Sequence, residues 1–370
     1  MKAIAVYPAG RRVELIDHPE PSFESPSEVK LRMLEVGICG TDKEIVAFEY
    51  GTPPAGFDYL IIGHESAGEV VEAGPESGLK PGDLVVPSVR RPCSHPECIA
   101  CPAERQDFCY SGEFTERGIK QHHGYMAEYV VEDARFLNRV AAPLRPYAVL
   151  VEPLTIAEKA IEQVWDVQNR LPWKRPQAAA GNLGAGHQAI VLGAGPVGLL
   201  GAMALRVAGF DVCVYSRHTE GDGRTEIVRA IGAEFVDAQQ VAVEEMVSRF
   251  GHTLDLVYEA VGASSLAFEF LKALGPNGVF IFTGVPGRKA PVSVDTDHLM
   301  REMVLKNQLV FGTVNAPRSS FEAAIRDIGV FAEKWPEALS RIITNRIPMD
   351  RALEPLSGTV HGIKNVVAIA

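Results

Sequence analysis

The chain has 370 residues, 46% of them hydrophobic and 22% charged, a balance that excludes a disordered or fibrous polypeptide and is too long for one compact core, so two domains are expected. A formal net charge of -11 works against a broad electrostatic hold on nucleic acid or anionic lipid, which leaves a small molecule as the expected partner. No stretch approaches the roughly 18 continuous apolar residues of a membrane span. The opening residues carry only a short apolar run, Ala3 to Tyr7, too short for an export signal, so the expected compartment is the cytoplasm, where clustered cysteines bind metal more often than they pair.

From Met1 to about Leu150 the pattern is of short β segments broken by Gly and Pro, namely KAIAVYP, EVKLRMLEVGIC, SAGEVVEAG and DLVVPSV. A helix follows, with apolar positions at Ile156, Ala160, Ile161, Val164 and Val167, and it fades into LPWKRPQAAAGNLGAGHQ, which reads as a connection between domains. Next come AIVLG, a helix from Val197 to Val207, DVCVYS, LDLVYEAVG, the helix SLAFEFLKAL and GVFIFTGV. They alternate as βαβ units do in a parallel sheet. After LVFGTVN a further helix runs from about Ser320 to Lys334, and the chain ends in short β pieces. The fold class is therefore α/β with a second, mostly β domain.

Gly193, Gly195 and Gly198 stand between the strand AIVL and a helix, the context in which GxGxxG binds a dinucleotide. The first glycine makes the turn, the second lets the pyrophosphate approach the backbone, and the third allows close packing of the helix. The end of the next strand reads Ser216, Arg217, His218, with no carboxylate for ribose hydroxyls. Arg217 and Ser216 suit a 2'-phosphate instead, which favours NADP over NAD.

Cys93, Cys98, Cys101 and Cys109 are spaced CxxxxCxxCx7C on one loop, a set that wraps a tetrahedral zinc ion and, being closed, leaves no place for substrate. His95 lies inside the loop as an alternative donor. A second, catalytic ion would draw ligands from separated segments. Cys39 in GICGTD and His64 in GHE are the leading pair, with Glu65 or Glu152 to close a three-ligand shell. Read alone, a single cysteine and a single histidine are more often core residues than ligands.

GICGTD, GHESAGEVVEAG, the four-cysteine loop and GAGPVG, in this order, resemble the zinc-containing medium-chain alcohol dehydrogenase family over nearly the whole chain. The resemblance implies a chaperonin-10-like β catalytic domain at 1–185, completed by 312–370, around a doubly wound Rossmann domain at 186–311. It raises Cys39 and His64 to expected ligands of a catalytic zinc, two zinc ions per chain in all. It also adds Pro196, Val197, Thr283, Val285 and Asn315 to the expected cofactor contacts. GICGTDKEIV, RQDFCYSGEFTERGI, VEPL and GTVNAPRSSFEAAI are similar to the glucose dehydrogenase branch. Glu44 stands where alcohol dehydrogenases of the family carry a relay histidine, and Glu152 where many carry a third cysteine ligand.

The branch implies that Thr41, Glu116, Glu152 and Asn315 face sugar hydroxyls. Zinc would lower the pKa of the C1 hydroxyl of an aldose, Thr41 would pass the proton on, and the C1 hydride would go to NADP, giving a lactone. The other readings are a polyol or threonine dehydrogenase of the same family, and a non-catalytic, zinc-stabilised redox sensor. The family also implies a homo-oligomer, a dimer or a tetramer.

Overall fold

The computed structural model describes residues 1–176, 178, 182–217, 223–287, 291–358 and 360–370. The chain opens with the hairpin β1 (Lys2–Tyr7) and β2 (Arg12–Asp17), then the long strand β3 (Glu28–Gly37) and the short helix α1 (Gly40–Val46). In β3, Val29, Leu31 and Met33 alternate inward against Ile4, Val6, Ile61 and Tyr125, the period-2 burial that fixes register. After β4 (Leu60–Ile61), β5 (Glu65–Ala73) and β6 (Leu84–Pro87) come the small strands β7 (Arg90–Arg91), β8 (Thr115–Arg117) and β9 (Gln121–His122), then β10 (Tyr129–Asp133) and β11 (Leu137–Val140).

Helix α2 (Val151–Gln168) leads to β12 (Gln188–Leu192), α3 (Pro196–Val207), β13 (Asp211–Ser216), α4 (Arg224–Ala230), β14 (Glu234–Asp237), α5 (Val243–Phe250), β15 (Leu254–Glu259), α6 (Ser264–Phe270), β16 (Leu274–Phe282), α7 (Thr296–Leu305) and β17 (Leu309–Gly312). These strands form one all-parallel sheet in the order β14-β13-β12-β15-β16-β17. Every residue of β15 is buried, as a strand covered on both faces requires. The order reverses at β12, the switch point at which doubly wound sheets bind ligands.

Helix α8 (Arg318–Lys334) and the strands β18 (Ile343–Pro348) and β19 (Lys364–Ala368) complete the chain. Strands β19 and β18 join the sheet ordered β11-β6-β5-β3-β19-β18, so the tail returns to the β-rich part through an antiparallel pairing of β19 with β3. Two compact units result: Met1–Thr155 with Asn315–Gly329 and Ile343–Ala370, and Ile156–Val314 with Val330–Ile342. The division at Thr155 falls earlier than the expected end of the first domain at 185. The segment read as a connection is anchored in the second unit, where its Trp173 and His187 pack against Phe210 with ring centroids 6.3 and 6.0 Å away. Residues 330–342 likewise fall in the second unit, although the whole of 312–370 was expected to complete the first.

Candidate active site

Cys39 follows β3 and caps α1, where its backbone N–H donates to Asp42 Oδ2 at 2.8 Å. His64 and Glu65 enter β5 from a turn at Gly63, whose φ of +91° and close neighbours, Met126 and Val36, leave no room for a side chain. The two turns bring donor atoms of Cys39, His64 and Glu65 within 4.8 Å of one another. His64 Nδ1 lies 3.5 Å from Asp42 Oδ1, so the carboxylate sets the ring and leaves the other ring nitrogen for a metal. Burial works against a charged His64, but Asp42 outweighs it and holds the imidazole well above its usual pKa.

Lys364, from β19, is buried against this group. Its ammonium pairs with Glu65 Oε2 and donates to the carbonyl of Ile38 at 3.0 Å. Gly37 makes the room, because a Cβ there would sit 2.4 Å from Glu65 Oε2. Glu152, in the first turn of α2, is buried, and that burial pushes its carboxyl up to about 7, with Glu65 adding to the rise while His64 and Lys364 oppose it. Glu65 stands in the three-donor group and Glu152 beside it. A thiolate, an imidazole and a carboxylate packed this closely fit a zinc ion. Thr41 is half-buried in the first turn of α1, two residues beyond Cys39. Asp42 and Lys364 are functional candidates that the sequence reading passed over. Asp42 lies within the GICGTD motif, and Lys364 is a lone base in an apolar strand.

The four-cysteine loop closes on itself. Cys93 Sγ lies 3.6 Å from the sulfurs of Cys101 and Cys109, and Cys98 Sγ lies 3.9 Å from that of Cys109. A tetrahedron with Zn–S of about 2.3 Å has edges of about 3.8 Å. Disulfides need sulfurs about 2.05 Å apart, and all six cysteines are free. The Cys101 amide helps hold the Cys98 thiol down at about 6, whereas burial pushes Cys101 up to about 12. His95 accepts from the amide of Glu97 instead of joining the sulfurs.

Glu116, on β8, is buried and is not one of the three clustered donors. Its Oε1 accepts from Arg90 Nε and from Asn315 Nδ2, each at 3.0 Å. Asn315 holds a left-handed backbone, φ +59°. Arg90 in turn donates to the carbonyls of Gln106 and Asp107, within the cysteine loop, at 3.3 and 3.2 Å. The structure thus groups Asn315 with Glu116, among the expected substrate residues.

In the second unit Gly193 turns with φ +103° after β12, and Gly195 has open space where a Cβ would project. At Gly198 a Cβ would sit 2.1 Å from the Gly193 carbonyl, so the third glycine is required mainly by the loop's own backbone. Pro196 and Val197 open α3, whose first turn has no side-chain cap and presents its N–H groups. Strand β13 ends at a buried Ser216 with Arg217 exposed beyond it, while His218 lies outside the described residues. The register places Asp237 beside Ser216, with one carboxylate oxygen buried and unbonded, an acid at this edge that the sequence reading did not find. Thr283 and the exposed Val285 follow β16 at the same edge of the sheet.

Two family comparisons match this geometry. The alcohol dehydrogenase GroES-like domain matches residues 25–142, and the glucose dehydrogenase C-terminus matches 145–369, more than half the chain. The chain belongs to the glucose dehydrogenase branch of the medium-chain alcohol dehydrogenase family. It is 39% identical over 373 residues to a glucose 1-dehydrogenase of Methanocella arvoryzae, covering 100% of this chain and 99% of that one. A glucose 1-dehydrogenase of Thermoproteus tenax is 37% identical over 373 residues, with coverage of 100% and 99%. Haloferax mediterranei glucose dehydrogenase, solved in complex with NADP, Zn and gluconolactone, matches with a TM-score of 0.87 at 33% identity, over 100% of this chain and 99% of that chain. An alcohol dehydrogenase of Thermotoga maritima, 22% identical, shares the fold at a TM-score of 0.80, over 99% and 98%. Within the family, the β-rich unit is the GroES-like, chaperonin-10-like part and the parallel sheet is the Rossmann part.

Proposed function

We propose that the chain is a glucose (aldose) 1-dehydrogenase that oxidises the C1 hydroxyl to the lactone with NADP as hydride acceptor. The observation that carries this reading is the donor set of half-buried Cys39 with buried His64 and Glu65, in a chain that aligns end to end with relatives named glucose 1-dehydrogenase. A zinc ion held there, with Glu65 or Glu152 closing the shell, supplies the charge that makes a bound hydroxyl acidic near neutral pH. Asp42 fixes the His64 ring. Lys364 neutralises and aims Glu65. Thr41 takes the proton toward solvent. Glu116 and Asn315 hold sugar hydroxyls directionally, which suits a polyol better than an aliphatic alcohol. A second zinc in the sulfur cage holds the Cys93–Cys109 loop.

NADP, in this proposal, accepts the hydride, with its pyrophosphate at Gly193–Gly198 and its 2'-phosphate at Ser216 and Arg217. Thr283 and Val285 contact its other half. The six free cysteines suit a reducing compartment, the cytoplasm. No described helix is long and apolar enough to cross a membrane.

We also propose a homo-oligomer. Helix α7 buries none of its residues, and Met300 and Val304 are 65% and 70% exposed on it, next to the sheet-edge strand β17. A helix with exposed apolar side chains, leading into the strand at the end of the described sheet, suits a second copy of the chain.

Initial rates on glucose, galactose and xylose with NADP and with NAD test the activity. Turnover of sorbitol or threonine with none of an aldose would replace the reading with that of a polyol or amino-alcohol dehydrogenase. Binding of a single zinc, lost with the cysteine loop, would leave a non-catalytic redox protein.

A further inference from the structure

Glu259 ends β15 and is 1% exposed, yet among the described residues its carboxylate takes its partners from backbone amides and not from a basic side chain. Its Oε1 accepts from the amides of Val261 and Gly262 at 2.8 and 2.7 Å, in the loop after β15. Its Oε2 accepts from the amide of Gly284 at 3.2 Å, in the loop after β16. The backbone carbonyl of Glu259 accepts from the Thr283 hydroxyl at 2.7 Å. One side chain therefore bridges two loops that leave neighbouring strands at the same edge of the sheet.

The loops are in direct backbone contact there. A Cβ on Gly284 would sit 2.1 Å from the nitrogen of Gly262, and one on Gly262 would sit 2.6 Å from the carbonyl of Val285. On the other side, a Cβ on Gly193 would meet Val261 at 2.6 Å, and the amide of Ala260 donates to Leu192 at 3.0 Å. The Gly193 turn, the Val261–Gly262 loop and the Thr283–Val285 loop form one layer across β12, β15 and β16, with the carboxylate of Glu259 at the junction of the last two.

Topology says which part of a dinucleotide meets that layer. The pyrophosphate belongs at the N-terminus of α3, over β12, and the adenosine ribose belongs at the end of β13, on one side of β12. The nicotinamide half extends to the other side, over β15 and β16. We propose that Glu259 is a positioning residue for the nicotinamide half: its carboxylate locks the loops after β15 and β16 into the conformation that receives it. The inference rests on the dinucleotide reading above and names a residue that reading does not use. A carboxylate suits the task because it accepts on both oxygens, and bonds to a charged acceptor are the stronger kind.

Glu259→Gln keeps the shape and replaces one acceptor by a donor. The amide group then faces either Gly284 N–H or the pair from Val261 and Gly262, and one loop is released whichever way it turns. Titration of the purified protein with NADP+ and with 2',5'-ADP, the adenosine half alone, reads the effect. We expect Glu259→Gln to weaken NADP+ by about tenfold or more and 2',5'-ADP by no more than about twofold. Equal weakening of both, or no weakening of either, would overturn the inference. Gly284→Ala, whose Cβ would press on both Gly262 and Glu259 Oε2 and so part the two loops at the carboxylate's own junction, should give the same one-sided loss, and it decides the matter if Glu259→Gln does not fold. Failure of the unaltered protein to bind NADP+ or NAD+ would instead overturn the dinucleotide reading.

Discussion

Cys39, His64, Glu65 and Glu152 converge from three stretches of chain, so the loss of one should cost chemistry more than stability. Cys39→Ser is expected to remove about one zinc per chain and to lower kcat by about a thousandfold, the factor for about 4 kcal/mol of lost charge stabilisation. Metal analysis alongside initial rates checks both halves. At the proposed cofactor edge Arg217 is exposed and Asp237 lies beside Ser216, and the arginine is the group proposed to select a 2'-phosphate. Arg217→Ala should raise KM for NADP by about 10- to 100-fold and leave NAD nearly unchanged, from the worth of one bond between charged groups. Equal effects on the two cofactors would sink that assignment. His122 belongs to the same scale. Burial, reinforced by Arg117, holds it down at about 3, so the native state keeps it neutral while the unfolded chain protonates near 6.5. The unfolded state then binds more protons between those values, and stability falls as pH drops through that range, by up to about 1.4 kcal/mol per pH unit. Below about 4.5 Glu132 acts in the same direction. Burial raises its pKa, but Arg117 and Arg91 outweigh that and hold it at about 2, so its contribution is lost as pH falls from 4.5 toward 2. Urea midpoints should stay level from pH 7.5 to about 6.5 and then fall toward pH 5 in the unaltered protein, and fall more gently in His122→Gln.

The elements explain why the sites form where they do. Strand β19 pairs with β3 in antiparallel register, Val366 opposite Gly37, and this pairing is what delivers Lys364 to Glu65. Strand β7 and strand β8 pair so that Arg90 lies opposite Glu116, and Arg90 also holds the cysteine loop through two carbonyls. The cysteine cage is thereby connected to an expected substrate carboxylate. Cys101→Ser should release about one zinc, lower Tm by about 5 °C or more and raise the KM for the sugar. A lower Tm with an unchanged KM would confine the cage to a purely local role.

At the scale of the molecule, two units share the work, and the second presents the apolar face of α7 beside the edge strand β17. Val304→Glu with Met300→Glu should convert the proposed oligomer to a smaller species in sedimentation velocity at unchanged far-UV circular dichroism. A monomeric unaltered protein would show that the face is not an interface between copies.

The motifs that the sequence determined by itself are those whose chemistry is set by near neighbours. The four cysteines reach a common centre because one loop carries them, and the glycines of the Gly193 turn are dictated by local backbone geometry. The parallel sheet was legible for a similar reason, since strands buried on both faces read as apolar runs such as AIVL in β12. Cys39 and His64 were visible as turns, but only a resemblance to a known family made them ligands, because their spacing says nothing about distance in space. Tertiary structure alone decided the rest. Sheet pairing across more than three hundred residues sets Lys364 against Glu65, the register of neighbouring parallel strands sets Asp237 beside Ser216, and aromatic packing on Phe210 draws the segment after α2 into the second unit. Each depends on which strands and rings meet, a property of the folded chain that no local window contains.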